Sequence, residues 1–191
     1  MFAVLPSIGS INAMDHLQRI RRLSGWLVLV CWVLVVLLPV AWLGYWMTSD
    51  AAQLALQAHL PAGVIQPGLP PWQRVAAAAA NAVPMACVLL GVWQVKRCFT
   101  AFAQGQVFTA HATAHLRRFA GWTAAAALAA IVSVPVISVL LTLHNLPGER
   151  QLVVSLSSEH VFTLFFAALV WLMADIMGQG QALAEENESF V

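Results

Sequence analysis

Apolar positions in this chain form four long continuous runs, and polar positions are confined to the short segments between them. The runs lie near residues 23–47, 75–95, 119–143 and 160–178. A bilayer core is about 30 Å thick, and about 20 helical residues cross it. Because the runs are continuous rather than alternating, they predict transmembrane helices and not the strands of a membrane barrel. The expected fold class is an all-α integral membrane protein, with a four-helix transmembrane domain over 23–178, an N-terminal segment 1–22 and an acidic tail 179–191.

The composition agrees with a membrane protein and excludes an ordinary soluble domain. Hydrophobic residues make up 61% of the chain and charged residues 9%, against about 25% charged in soluble domains. The first run has a basic flank, but it is longer than the ~7–15 apolar residues of a signal peptide and no small-residue cleavage site follows it. We therefore expect a retained helix. Met1–Ala13 carries no charge and Met14 resembles a natural start, so this segment is either a start-site artefact or a weakly apolar tail.

The positions of the basic residues predict the orientation. Of the nine Lys and Arg residues, only Arg74 and Arg150 lie outside the segment before the first run and the connection between the second and third runs. Cytoplasmic loops carry the excess of basic residues. Both termini and the connection between the second and third helices are therefore expected on the cytoplasmic side. Tryptophan residues cluster at both ends of the runs, as in the aromatic belts of membrane proteins.

The chain contains a repeated phrase. Arg21–Trp26 reads RRLSGW and Arg117–Trp122 reads RRFAGW, and Pro39 and Pro135 follow at the same distance. Both phrases stand at the cytoplasmic entry of a predicted helix. We interpret the four helices as two copies of a helical hairpin, a parallel repeat whose symmetry axis runs along the membrane normal.

Small and polar residues within the runs predict how the helices pack. Alanines fill Ala76–Ala80 in the second run and Ala124–Ala127 in the third, and small residues let helix backbones approach closely in lipid. We therefore expect the second and third helices in the interior and the first and fourth facing lipid. The uncharged polar side chains are interpreted as hydrogen-bonding within and between helices: Asn81, Ser133, Ser138 and Thr142.

The two outer connections carry weaker signals. Ser49 and Asp50 are typical of a helix cap, and they predict a short helix through about Leu60 that lies along the surface and is ended by Pro61. The stretch Leu152–Leu156 has strand character.

The sequence offers little catalytic or metal-binding chemistry. His111 and His115 stand four apart on one helix face, a spacing that can hold a metal, but no third ligand follows nearby, so a solvated helix face is favoured. The cysteines at 31, 87 and 98 form no C-x-x-C pair, and no phosphate loop, nucleophile elbow or zinc motif is present. We expect no enzyme, no cofactor and no metal.

Asp175 is the acidic residue within the fourth run, at its inner end. Two interpretations stay open. It is either an interfacial carboxylate that reaches water, or an ion-pair partner of Arg97, Arg118 or Arg22 that pins the fourth helix to the basic ends of the others.

Three segments carry a resemblance to a known family. Phe102–Thr109, Leu116–Ala120 and the ending Gly180–Val191 resemble the signatures of an uncharacterised bacterial family, a four-helix membrane domain of unknown function. The resemblance covers the second helix to the end, and the first helix in pattern only. It implies the bacterial cytoplasmic membrane. Because members are often encoded beside a small helix-turn-helix regulator, it also implies a regulatory partner of that kind, and it supplies no catalytic residues.

These observations favour a non-enzymatic membrane protein that docks a cytoplasmic partner such as a transcription regulator, without binding nucleic acid itself. The predicted partner surface combines the basic connection, its apolar anchors and the acidic tail: Lys96, Arg97, Phe102, Gly105, Phe108, Arg117, Arg118, Glu185, Glu186 and Glu188. Alternatively, the basic residues meet anionic lipid headgroups of the bilayer and the phenylalanines tuck under the bundle. A second class of function is a small transporter or channel component that works as a homo-oligomer.

Overall fold

The protein is all-helical. The computed structural model describes residues 8–61, 63–65, 69–104, 109–145 and 150–189, with the backbone alone for 8–21, 184–185 and 187–189. The helices are α1 (Ile8–Thr48), α2 (Ala51–Gln57), α3 (Pro71–Ala103), α4 (Ala110–Thr142) and α5 (Ser158–Ser189). The four long helices contain segments long and apolar enough to cross a membrane. This confirms the predicted all-α class with four transmembrane helices.

The long helices extend beyond the predicted apolar runs. With 33 residues each, α3 and α4 are about 50 Å long, whereas the hydrocarbon core is about 30 Å thick. Much of the extra length lies at one end of the two helices, where the charged residues are. There α3 continues past Lys96 and Arg97, and α4 begins before Arg117 and Arg118. We call this side, with Arg22, the basic end, and the opposite side, with α2, the loop end.

The four long helices form a row. Helix α1 packs on α3, α3 on α4 and α4 on α5, and within the described ranges no other two of these four helices meet. The second and third transmembrane helices are therefore the interior ones and the first and fourth the outer ones, as the alanine pattern predicts. A closed two-fold arrangement of two hairpins would also bring α1 against α5. That contact is absent from the part of the chain that the structure describes, so the repeat stays a prediction.

Small residues carry the α3–α4 interface. Ala77 of α3 is fully buried in a cluster with Ile137 and Leu141 of α4. Further along, a Cβ at Gly91 would lie 3.6 Å from the Cβ of Trp122. The helices are thus close enough for dispersion contacts along their length, which is the main attraction between helices in lipid.

Polar side chains in the spans are hydrogen-bonded as predicted. The indole Nε1–H of Trp42 donates to Oδ1 of Asn81 at 2.9 Å and ties α1 to α3. The hydroxyls of Ser133, Ser138 and Thr142 each donate to a carbonyl of α4 at 2.8–2.9 Å. The three hydroxyls therefore need no water within the bilayer.

The chain before α5 runs back along α4 in an extended conformation. The backbone N–H of Val153 donates to the hydroxyl of Ser138 at 3.1 Å, and that of Gln151 to the hydroxyl of Thr142 at 3.3 Å. The opposite face of the segment is apolar and exposed: Leu152, Val154 and Leu156. The predicted strand character appears as this alternation, but helix hydroxyls replace a partner strand. The α5 helix consequently begins at a level between the loop end of α4 and its basic end.

Helix α2 closes the loop end. Asp50 caps it and Gln53 completes the capping box, as the sequence predicts, but the helix ends at Gln57. It exposes one face, which includes Leu56, while Leu54 and Ala58 on the other face are buried against Trp46 and the ends of the long helices. The apolar side chains of this segment fill a gap between α1, α3 and α4 that the row leaves open.

Candidate functional site

A groove runs between α4 and α5 at the basic end. Its volume is about 990 Å³, and it is lined mainly by small residues such as Ala114, Ala125 and Gly178. The rings of Trp122 and Trp171 form larger parts of its walls. The groove therefore offers apolar surface next to a charged rim.

The rim contains an ion pair. The guanidinium of Arg117 lies 3.5 Å from the carboxylate of Asp175 and 4.9 Å from the ring centroid of Trp171. With the side chains 57% and 40% exposed, the pair contributes about 0–1 kcal/mol to stability. The partner of Asp175 is thus Arg117, and not Arg97, Arg118 or Arg22.

The register of two antiparallel helices explains this choice. Gly121 lies one turn beyond Arg117 on the same face of α4, and its Cβ position is 3.4 Å from the ring of Trp171. Trp171 lies one turn from Asp175 on α5, so the two pairs stack along one interface. Arg118 is about 100° further round α4 and also lines the groove.

A second, smaller pocket lies between α3 and α4. Its volume is about 430 Å³, and its polar lining includes Lys96, Arg97, His111 and His115. The Lys96 ammonium lies 4.0 Å from the ring centroids of both Trp32 and Trp93, which fixes it at the junction of α1 and α3. Lys96 thus lines the pocket with a side chain whose ammonium is held by aromatic rings on the α1 side of α3.

The two histidines form a hydrogen-bonded relay. The Nδ1 atom of His115 lies 2.8 Å from Oε1 of Gln94 on α3, and its Nε2 atom lies 3.1 Å from Nε2 of His111. His115 is only 2% exposed, so the expectation of a solvated helix face is wrong for it, whereas His111 is exposed. The burial of His115 is possible because Gln94, across the helix interface, satisfies its ring nitrogen.

The surroundings of this pair disfavour a metal cation. No group of three or more His, Cys, Asp or Glu residues that could hold a metal occurs within the described ranges. Lys96 and Arg97 line the same pocket, and their positive charges oppose the approach of another cation.

The remaining residues of the predicted partner surface are dispersed. Phe102 is partly buried against Cys98 and Ala112, so this anchor tucks under the bundle. Gly105 and Phe108 lie outside the described residues. The side chains of Glu185 and Glu188 lie outside them as well. Glu186 is exposed, and the tail to Ser189 continues α5 as helix.

The structure thus divides the predicted surface into the groove with Arg117 and Arg118 and the pocket with Lys96 and Arg97. Sequence reasoning missed Trp171 and Gln94. The spacing of four between Trp171 and Asp175 was a signal for the first, since it places both on one helix face. Nothing local indicated that Gln94 meets His115.

Comparison with known families gives a match over most of the chain. A family model described as "Protein of unknown function (DUF2975)" matches residues 69–191. The match contains α3, α4 and α5, and hence the residues lining both the groove and the pocket, and it agrees with the resemblance predicted from the second transmembrane helix onward. No curated protein and no solved structure matches the chain.

Proposed function

Because the chain belongs to the DUF2975 family of proteins of unknown function, we propose that it is a non-enzymatic membrane protein that docks a cytoplasmic partner, such as a helix-turn-helix transcription regulator, at its basic end. The observation that carries this proposal is the open groove between α4 and α5. The excess of Lys and Arg at the basic end supports a location on the cytoplasmic side of a bacterial cytoplasmic membrane. There the groove is accessible to a soluble regulator.

The dimensions of the groove suit a helix. Its lining extends from Ala110 to Ala125 on α4 and from Trp171 to Ala182 on α5. The α4 stretch corresponds to about 24 Å of helix. The part that precedes the apolar run at 119–143 is about 14 Å long, which suits two to three turns of a docked partner. Helix-in-groove recognition needs an apolar floor that the partner's apolar face can cover, and the small residues and tryptophans of this groove supply one.

The chemistry of the rim indicates the polar face of the partner. Among the described residues of the groove lining, Arg117 and Arg118 stand against one carboxylate, that of Asp175, so an acidic residue flanking the partner's apolar stripe is favoured. Tryptophan and arginine are the residue types that most often dominate binding energy at interfaces. The occupant is therefore an amphipathic helix with an acidic flank.

Filling the groove tests this proposal. A Cβ at Gly178 meets nothing within 4 Å, so the side chain of Gly178→Leu enters the groove without a clash in the helix. The test measures how much helix-turn-helix regulator, encoded beside this protein, co-purifies with the tagged protein in detergent. We expect the substitution to reduce this amount by about tenfold or more, because the leucine occupies the space of an apolar anchor.

Gly180→Leu is the matched control. Gly180 lies on the same helix, outside the groove lining, and its Cβ position is also open. It should leave recovery unchanged. Equal losses with both variants, or no recovery of the regulator with the unaltered protein, would contradict the proposal.

The alternative of a small oligomeric transporter or channel stays a prediction. The four helices form an open row, because α1 and α5 do not meet within the described ranges. A row of this kind does not surround a channel by itself. A conducting pathway would require several copies of the chain around a polar cavity.

A further inference from the structure

We propose that the pocket between α3 and α4 at the basic end binds a phosphate group through Lys96, Arg97 and His111. The phosphate belongs either to an anionic phospholipid headgroup or to a soluble phosphate compound. This site is separate from the α4–α5 groove, so it stands independently of the docking proposal.

The pocket carries two basic side chains, Lys96 and Arg97. The carboxylate of Asp175 is paired with Arg117 and not with either of them. Tryptophan rings hold Lys96 and approach Arg97, whose guanidinium carbon is 5.8 Å from the ring of Trp93. Cation–π contact fixes these groups but leaves their charge in place, and ammonium and guanidinium groups are the usual donors to phosphate.

The histidine relay holds His111 in place. Oε1 of Gln94 can only accept, so the Nδ1 atom of His115 carries hydrogen and, in the neutral ring, its Nε2 atom accepts from Nε2–H of His111. Because the Nε2–H of His111 is directed at His115, the ring of His111 donates to an anion only when both of its nitrogens carry hydrogen. The imidazole of His111 is thereby held at the pocket by its own helix and, through His115, by α3. His115 is a positioning residue, whereas His111 is exposed to an incoming ligand.

The position of His111 in the fold also favours an anion. It lies in the first turn of α4, where backbone N–H groups without helical partners attract negative charge. Together with Lys96 and Arg97, it brings basic side chains from two helices to the lining of one open space. A phosphate group has several acceptor oxygens and can meet them at once.

The surroundings are those of a membrane interface. Trp32 and Trp93 form an edge-to-face pair, 6.1 Å between ring centroids, beside Lys96, and tryptophans favour the headgroup level. Basic pockets between transmembrane helices on the cytoplasmic side commonly take acidic lipid headgroups. A volume of about 430 Å³ accommodates such a group together with water.

The test measures binding of two probes to the purified full-length protein in detergent. Short-chain phosphatidic acid and inorganic phosphate are titrated by calorimetry, with short-chain phosphatidylcholine as the lipid without net charge. We expect Arg97→Gln to weaken binding by about tenfold, the loss of one charge-assisted hydrogen bond. His111→Gln should weaken it similarly, while its amide still donates to His115 and preserves the fold.

Arg22→Gln is the matched control. Arg22 is exposed at the same end of the molecule and lies outside the pocket lining, so its loss should leave affinity within about twofold. Thermal unfolding of every variant is recorded to exclude misfolding, and Gly178→Leu should bind the probes normally, which separates this site from the docking groove.

The outcomes are distinct. Binding of phosphatidic acid alone assigns a lipid headgroup, and competition by inorganic phosphate assigns a soluble source, and either result supports the site. The proposal is overturned if Arg22→Gln weakens binding as much as Arg97→Gln, if neither probe binds, or if the protein instead holds stoichiometric zinc that His111→Gln removes.

Discussion

Two hydroxyl groups hold the connection between α4 and α5. Ser138 and Thr142 are fully buried, and each donates to a carbonyl of its own helix and accepts a backbone N–H from the extended segment. An unpaired N–H at membrane depth is costly. The serine and threonine side chains therefore make non-helical backbone tolerable at this depth.

Removal of one hydroxyl should have a measurable cost. In Ser138→Ala the N–H of Val153 loses its acceptor, so we expect the free energy of unfolding to fall by about 1–3 kcal/mol. Ser133→Ala is the control, because the hydroxyl of Ser133 donates to the carbonyl of Ala130 in its own helix, and its loss should change stability little. Denaturant titration in detergent measures both, and equal effects would show that the bond to Val153 contributes nothing.

At the scale of elements, the short helix α2 fills the space between α1, α3 and α4 at the loop end. It has 7 residues, too few for a helix that is stable alone, so its stability must come from the cap at Asp50 and from burial. The leucines of this helix are unequal. Leu54 is 1% exposed and Leu56 is 76% exposed.

This difference predicts unequal costs for the same substitution. Leu54→Ala removes a buried side chain and should lower the free energy of unfolding by about 2–5 kcal/mol. Leu56→Ala, on the same helix, should cost less than about 1 kcal/mol. Thermal melts of the two variants in the same detergent check this. Matching melts would mean that α2 does not seal the loop end.

Prediction from sequence succeeds for elements and fails for their mutual rotation. Long apolar runs determine four spans regardless of tertiary detail, and the alanines of the second and third runs indicate which helices are crowded. The pairing of Asp175 with Arg117 instead depends on the register of α5 against α4. Likewise, the burial of His115 depends on Gln94, which belongs to another helix. Both contacts depend on how two helices pack against each other, and the sequence pattern of a single helix does not predict that.

At the scale of the whole molecule, the distribution of charge predicts orientation. Lys96, Arg97, Arg117 and Arg118 share one end with Arg22, and the loop end has Arg74 and Arg150. The first group is expected in the cytoplasm, since positive residues resist translocation.

Reporter fusions check this orientation. Green fluorescent protein fused after Val191 should fluoresce, and alkaline phosphatase fused after Asn145 should be active, because the two positions are expected on opposite sides of the membrane. Phosphatase activity at Val191 would contradict the orientation and place the groove outside the cell.

The extended segment before α5 has a consequence for the bilayer. A helix has a fixed rise of about 1.5 Å per residue, whereas an extended chain rises about 3.3 Å and adjusts by small torsional changes. On the α5 side, the exposed Leu152, Val154 and Leu156 complete the apolar belt with such chain instead of helix. The hydroxyls of Ser138 and Thr142 anchor the segment at Val153 and Gln151. Where hydrophobic thickness differs from that of the protein, we therefore expect the residues between Val153 and Ser158 to adjust more readily than the rigid helices α3 and α4. The molecule meets a thinner or thicker membrane asymmetrically, and lipid adjusts least next to α5.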